Sequence, residues 1–194
     1  MRRRQRGLQF YRKKKGISVQ VIKEVFSWIV LSALAVFLAF MVIWAVGLRT
    51  NMIGVSMEPR LTNGQGILVN RLKYRFFSPQ TGDVVVFLPN GNQNAHYYVK
   101  RVVAVPGQTV LIQDGILYID GKAQENEEMD LIASAGIAEN EIKLGKDEYF
   151  VLGDNCNNSE DSRSANVGPV LRSTIVGEAW FHFGNSTDGW GLIP

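Results

Sequence analysis

The chain has 194 residues and a single cysteine, Cys156. No intrachain disulfide can therefore form, and Cys156 reads as a free or buried thiol. Histidine is almost as scarce, with only His96 and His182. Neither stands in a local signature that would pair it with a cysteine nucleophile. No internal repeat is visible. Charge is missing altogether from Val25 to Leu48, a run of 24 residues. Elsewhere the composition is ordinary, with 46% hydrophobic and 20% charged residues, which excludes both a disordered chain and a multi-pass membrane protein. The length allows one compact domain with an appendage.

The formal net charge of +3 hides a split along the chain. Residues 1–24 hold nine Lys and Arg against Glu24, a local charge of +8, so the remaining 170 residues carry −5. A basic tail points to nucleic acid or to an anionic membrane surface. The sequence after it, VFSWIVLSALAVFLAFMVIWAVGL, decides for the membrane. About 20 apolar residues cross the hydrocarbon core, and Trp28 and Trp44 stand near the two ends, where indole rings favour the interface. With the cations ahead of the span and only Arg49 close behind it, residues 1–24 are expected to be a cytoplasmic tail, 25–48 a transmembrane helix and 49–194 extracytoplasmic. Two plainer readings compete. A cleavable signal peptide also has a basic start, and Ala45-Val46-Gly47 supplies small residues at its end, but the apolar run exceeds the usual 7–15 residues. A buried core helix is rarely apolar all round beside so many cations.

Beyond the span the text changes to short runs rich in Val, Ile and aromatics: 66–69, 83–87, 97–105, 110–112, 116–119, 149–152 and 175–183. Such runs, broken by turn residues and without helical patterning between them, predict antiparallel strands. Asp114-Gly115 marks a two-residue hairpin and Asp120-Gly121 closes its second strand. Residues 123–143 are acidic and weakly periodic and read as a flap or excursion. The expected fold is mainly β, an antiparallel catalytic domain with one N-terminal transmembrane helix.

Three stretches hold reactive side chains. Gly54-Val55-Ser56-Met57-Glu58-Pro59 places a serine just past the span, and taken alone it is a turn serine. Tyr98 to Gly107 is a hydrophobic strand interrupted by Lys100 and Arg101. Alternation forces one of these cations toward the apolar side. Burial lowers a lysine pKa toward the range of a general base, whereas arginine stays protonated. Lys100 is therefore the candidate base and Arg101 a structural cation; Ser with Lys is one form of the nucleophile-plus-base scheme. Residues 153–163, GDNCNNSEDSR, form a dense polar turn after the run YFVLG. Alone it reads as a solvent loop with Asx turns.

Together these stretches resemble the type I signal peptidases of bacteria and organelles. SMEP is similar to that family's serine box, GDVVVF to its central strand, KRVVAVPG to its lysine box, and GDNCNNSEDSR to its Gly-Asp-Asn…Ser-x-Asp-Ser-Arg box. The resemblance runs from about residue 25 to 183 in the family's order and implies a largely antiparallel β fold. It implies Ser56 as nucleophile, Lys100 as general base, Ser159 as the hydroxyl that orients the amine, Asp161 and Arg163 as a supporting ion pair, and Asp154 as part of that network. Lys at position 100 places the chain with the Ser/Lys branch. Met52 and Val99 are implied as walls of shallow pockets. The sequence departs from the pattern at Gly54, where some members have a serine that helps bind the oxyanion, at Arg60, and at Ser164-Ala165-Asn166.

The activity implied is removal of signal peptides after small residues at −1 and −3, through an acyl-enzyme and without metal or cofactor. Its partners are the signal peptides of preproteins, the lipid bilayer and the nearby secretion machinery, with no nucleic acid; the oligomeric state is left open. Two rivals remain in view. A self-cleaving repressor with a Ser/Lys dyad would need a DNA-binding module, and the tail has no helix-turn-helix pattern. A tethered β domain that only binds an envelope partner would need no reactive pair.

Overall fold

The computed structural model describes residues 18–92, 95–124, 131–184 and 189–194, with 44–46 as backbone only. The basic tail before residue 18, the side chain of Trp44 and residues 125–130 of the expected flap lie outside the described residues.

Two units make up the chain, residues 1–43 and 44–194. Helix α1 covers Val19–Val46, 28 residues. It is about 42 Å long at 1.5 Å per residue, and its stretch Val19–Ile43 is apolar enough to cross a membrane and is exposed throughout. Trp28 is 71% exposed, as a side chain meant for a lipid interface would be. The helix starts ahead of the uncharged run, taking in Lys23 and Glu24. The last two residues of the run, Gly47 and Leu48, already belong to a strand.

The second unit is antiparallel β throughout its described pairings. Its strands are β1 (Gly47–Asn51), β2 (Gly66–Asn70), β3 (Val84–Phe87), β4 (Tyr98–Ala104), β5 (Thr109–Gln113), β6 (Ile116–Ile119), β7 (Lys122–Ala123), β8 (Ile142–Lys143), β9 (Glu148–Leu152), β10 (Val170–Leu171), β11 (Ile175–His182) and β12 (Gly191–Leu192), with a one-turn helix α2 (Lys73–Phe76). The large sheet has the order β1-β2-β11-β3-β4-β9-β10, and β12 adds to β11. The smaller sheet has the order β7-β6-β5-β8. Every expected strand is present to within a residue at either end. Strands β7, β8, β10 and β12, each two residues long, are too short to leave a periodic signal. Strand β8 pairs with β5, so part of the stretch read as a flap is built into the smaller sheet.

Local chemistry explains the hairpins. Asp114 and Gly115 both have positive φ, 53° and 78°, the left-handed pair that joins two twisted strands most easily. β5 and β6 then pair from Gln113↔Ile116 to Val110↔Ile119. β4 is covered on both sides: Val99 packs with Met52, Met57 and Val86, while Tyr98 and Val102 pack with Val85, Phe87 and Val151. Leu152 and Phe150 of β9 close a third cluster with Ile112 and Leu117 of the smaller sheet. The core therefore locks β4, which carries Lys100, beside β9, which leads into the polar loop 153–163.

Phe150 is fully buried between the two sheets. Phe150→Ala should cost about 3–5 kcal/mol of stability through lost transfer energy and the cavity left behind. Urea unfolding of the detergent-solubilised chain, followed by tryptophan fluorescence, would measure it.

Candidate active site

The loop from Met52 to Gln65 returns the chain from β1 to β2, and its backbone is tied at the base: the Met52 N–H donates to the Gln65 carbonyl and the Gly64 N–H to that of Met52, both at 2.8 Å. Buried Met57 and Leu61 plug the loop into the core. Gly54, at φ +83°, takes a conformation that a residue with a Cβ resists, and its N–H donates to Asn63 Oδ1 at 2.9 Å. Ser56 follows two residues later, only 7% exposed.

Lys100 sits on β4 opposite Val85 of β3 and is 5% exposed, whereas Arg101 is half-buried. Its Nζ lies 2.5 Å from Ser56 Oγ. Burial is the main influence on the amine and brings its pKa down to about 8; Asp161, Glu160 and Asp154 pull the other way, and Arg163 adds to the lowering.

The loop after β9 wraps this pair. The Asn155 N–H donates to the Ser56 carbonyl at 3.0 Å, joining this loop to the turn that carries Ser56. Asp161, fully buried, accepts from Arg163 Nε at 2.8 Å and Nη2 at 2.9 Å, and from the Gly153 N–H at 3.2 Å. Arg163 also donates to the carbonyls of Cys156 and Ser134, which spreads its charge over fixed acceptors. Ser162 bonds to the backbone of Val151 on β9 through both its hydroxyl and its N–H. Asp154 stands apart from that group. Its carboxylate takes a two-point contact from Arg101, 2.8 Å at each oxygen, and Arg60 approaches to 3.7 Å. The single network expected for Asp154, Asp161 and Arg163 is thus two ion pairs, because Arg101 on β4 reaches Asp154 first.

Ser159 does not make its expected contact here. Its Oγ is buried with no hydrogen-bond partner among the described residues, while the Lys100 amine points at Ser56. A Cβ on Gly153 would overlap both Ser159 Oγ and the Ser56 carbonyl. Glycine at this position is what lets the Ser159 hydroxyl lie near the main chain of Ser56.

Compared with known families, residues 23–183 match the model of signal peptidase, peptidase S26. This chain belongs to that family. It is 34% identical over 144 residues to the probable signal peptidase I-1 of Synechocystis sp., covering 71% of each chain. To signal peptidase IB of Staphylococcus aureus it is 33% identical over 179 residues, covering 83% of this chain and 90% of the relative. The crystal structure of a signal peptidase I from Enterococcus faecalis V583 is similar at 26% identity and a TM-score of 0.43, covering 53% of this chain and 97% of that one.

In this peptidase the Ser56–Lys100 pair opens onto a cleft of about 310 Å³. Met52 and Val99, the implied pocket walls, both line it, with Ile53, Val55 and Tyr97 as further apolar surface. Its polar lining includes His96, Asn158 and Glu160, none of which the sequence singles out. Tyr98 was legible in principle, since it lies two residues before Lys100 on one strand and so shares its face; Glu160 carried no signal. Among the described residues, no group of His, Cys, Asp and Glu is arranged to hold a metal ion. Cys156 is buried, its thiol donates to the Gly153 carbonyl at 3.1 Å, and burial pushes its pKa up to about 11. Such a thiol is a poor nucleophile.

Breaking the Asp161–Arg163 pair would strand a guanidinium that is 7% exposed. Asp161→Ala should cost about 3–5 kcal/mol, because removing one partner of a buried pair leaves the other uncompensated. A fall in Tm of several degrees in differential scanning fluorimetry would show it, and an unchanged Tm would mean that water replaces the carboxylate.

Proposed function

We propose that this chain is a membrane-anchored signal peptidase that removes signal peptides from exported preproteins, with Ser56 as nucleophile and Lys100 as general base. The observation that carries the reading is the 2.5 Å approach of Lys100 Nζ to Ser56 Oγ at the floor of an open cleft. Membership of the signal peptidase family supports the substrate class.

The chemistry follows from the burial of the amine. At its ordinary pKa of 10.5 a lysine would be neutral in roughly one molecule in a few thousand at pH 7; at about 8 the fraction is roughly one in ten. Neutral Lys100 accepts the Ser56 proton as Oγ attacks the scissile carbonyl. The tetrahedral intermediate collapses to an acyl-enzyme, and the proton passes from Lys100 to the leaving amine. Lys100, neutral again, takes a proton from the water that attacks the ester and returns it to Ser56 Oγ. The developing oxyanion needs donors. The Gly54 N–H is engaged by Asn63 and the residue offers no side-chain hydroxyl, so the Ser56 N–H, which has no acceptor among the described residues, takes that role. Met52 and Val99 wall the pockets that take the small residues at −1 and −3. Ser159, whose hydroxyl has no partner among the described residues and lies beside the nucleophile turn, acts on the positioning of the Lys100 amine. Asp161–Arg163 and Asp154–Arg101 hold the two sides of the loop that frames the pair.

Helix α1 is the anchor. The cations ahead of it keep the N-terminus in the cytoplasm and put the cleft outside, on the same membrane surface as the signal peptides it cuts, near the secretion machinery.

Ser56→Ala, Lys100→Ala and Lys100→Arg should each abolish cleavage of a preprotein while leaving circular dichroism unchanged; arginine keeps the charge but cannot serve as a base. Substantial activity in Lys100→Ala would remove the dyad. Ser159→Ala should lower kcat by roughly 10- to 1,000-fold with little change in KM, and Cys156→Ser should leave it nearly unaltered. Because the base must be unprotonated, kcat/KM should rise tenfold per pH unit below an apparent pKa near 8 and level off above it. An acidic limb placed instead near 6 would point to another base.

The orientation has its own test. Protease added outside spheroplasts should digest the chain from residue 50 onward and spare the tail; protection of the β domain would reverse the assignment.

A further inference from the structure

The cleft contains one carboxylate that the proposed reaction does not use. Among the described residues that line it, Glu160 is the sole acidic side chain. The two neighbouring aspartates of the same loop are neutralised by two-point contacts with arginines, Asp154 with Arg101 and Asp161 with Arg163. Glu160 is exposed and makes no ion pair among the described residues. Its position is nonetheless fixed, because Oε2 accepts a hydrogen bond from the Tyr98 hydroxyl at 2.9 Å, tying the loop after β9 to strand β4. The ring of the same tyrosine lies 5.7 Å from Lys100 Nζ, measured to its centroid. Carboxylate, phenol ring and amine therefore follow one another along a single wall. The second oxygen, Oε1, has no protein donor among the described residues, and Glu160 as a whole is exposed and lines the cleft.

A fixed, uncompensated charge at a binding surface acts mainly on selection between substrates. We propose that Glu160 sets the charge preference of this cleft, favouring substrate chains with Lys or Arg beside the scissile bond and disfavouring Asp or Glu at the same position. The inference rests on reading the cleft as the site of peptide cleavage. Because the carboxylate is partly exposed, its attraction for a cation and its repulsion of an anion are both moderate and both screened by salt.

The test uses the full chain in detergent and a set of peptides spanning one signal-peptide cleavage site, with Lys, Gln or Glu placed singly at each position flanking the scissile bond. At one or two positions the kcat/KM for the Lys peptide should exceed that for the Glu peptide by about 10-fold at low ionic strength, and the ratio should shrink as salt is added. Glu160→Gln keeps an acceptor for Tyr98 and removes the charge, so the ratio should fall to about 1. Glu160→Lys should invert it. A ratio that survives in Glu160→Gln, or one near 1 at every position in the unaltered protein, would overturn the role of Glu160 while leaving the peptidase reading intact. If the unaltered protein cuts none of the peptides, both the proposed function and this inference fall.

Discussion

Lys100 loses its water by standing in a strand covered on both faces, and the folding energy of two hydrophobic clusters is what holds it there. An amine in that position favours its neutral form, because the charged form would need solvation the site no longer supplies. Once the strand is fixed, the Ser56 hydroxyl has to be brought to the amine. The turn that carries Ser56 does so by anchoring Met57 and Leu61 in the same cluster that holds Val99. The 2.5 Å contact is thus a consequence of core packing on either side of it.

Buried lysine chemistry sits uneasily beside acidic groups, which would stabilise the ammonium form. The loop after β9 brings three carboxylates close, and the structure handles each differently. Asp161 and Asp154 are bound to Arg163 and Arg101, so each presents a near-neutral pair to the amine. Glu160 has no ion-pair partner among the described residues and is held at the rim by Tyr98. Arginine suits the two inner positions because its guanidinium stays protonated and meets both oxygens of a carboxylate at once. The lone cysteine follows the same logic. With Sγ directed to the Gly153 carbonyl and its pKa pushed up, it fills space in a loop whose polar work is done by neighbours.

The sequence carried the elements with strong local causes. An uncharged run of 24 residues behind a +8 tail is a membrane signal in itself, and the antiparallel β fold could be read from Val-rich runs and from Asp-Gly pairs with positive φ. Adjacent cations in the apolar strand YVKRVVAV forced the conclusion that one of them is buried, since alternation is a property of the backbone. Lys100 stands out by its residue type in that strand, whereas Ser56, a turn serine when taken alone, is marked only by the resemblance of the linked motifs to a family.

Other features came only with the tertiary structure. Which arginine meets which aspartate depends on the pairing of β4 with β9, and this moved Asp154 out of the network expected from its neighbours in sequence. Ser159 lies near the Ser56 main chain because Gly153 has no side chain to keep it away, and among the described residues its hydroxyl has no partner, where the resemblance implied a contact to the amine. Glu160 and Tyr98 meet across 62 residues, a separation that no local pattern spans. Local preference and periodicity act over a few residues and can be read directly. The charge environment of a buried amine is a sum over groups that only the folded chain assembles.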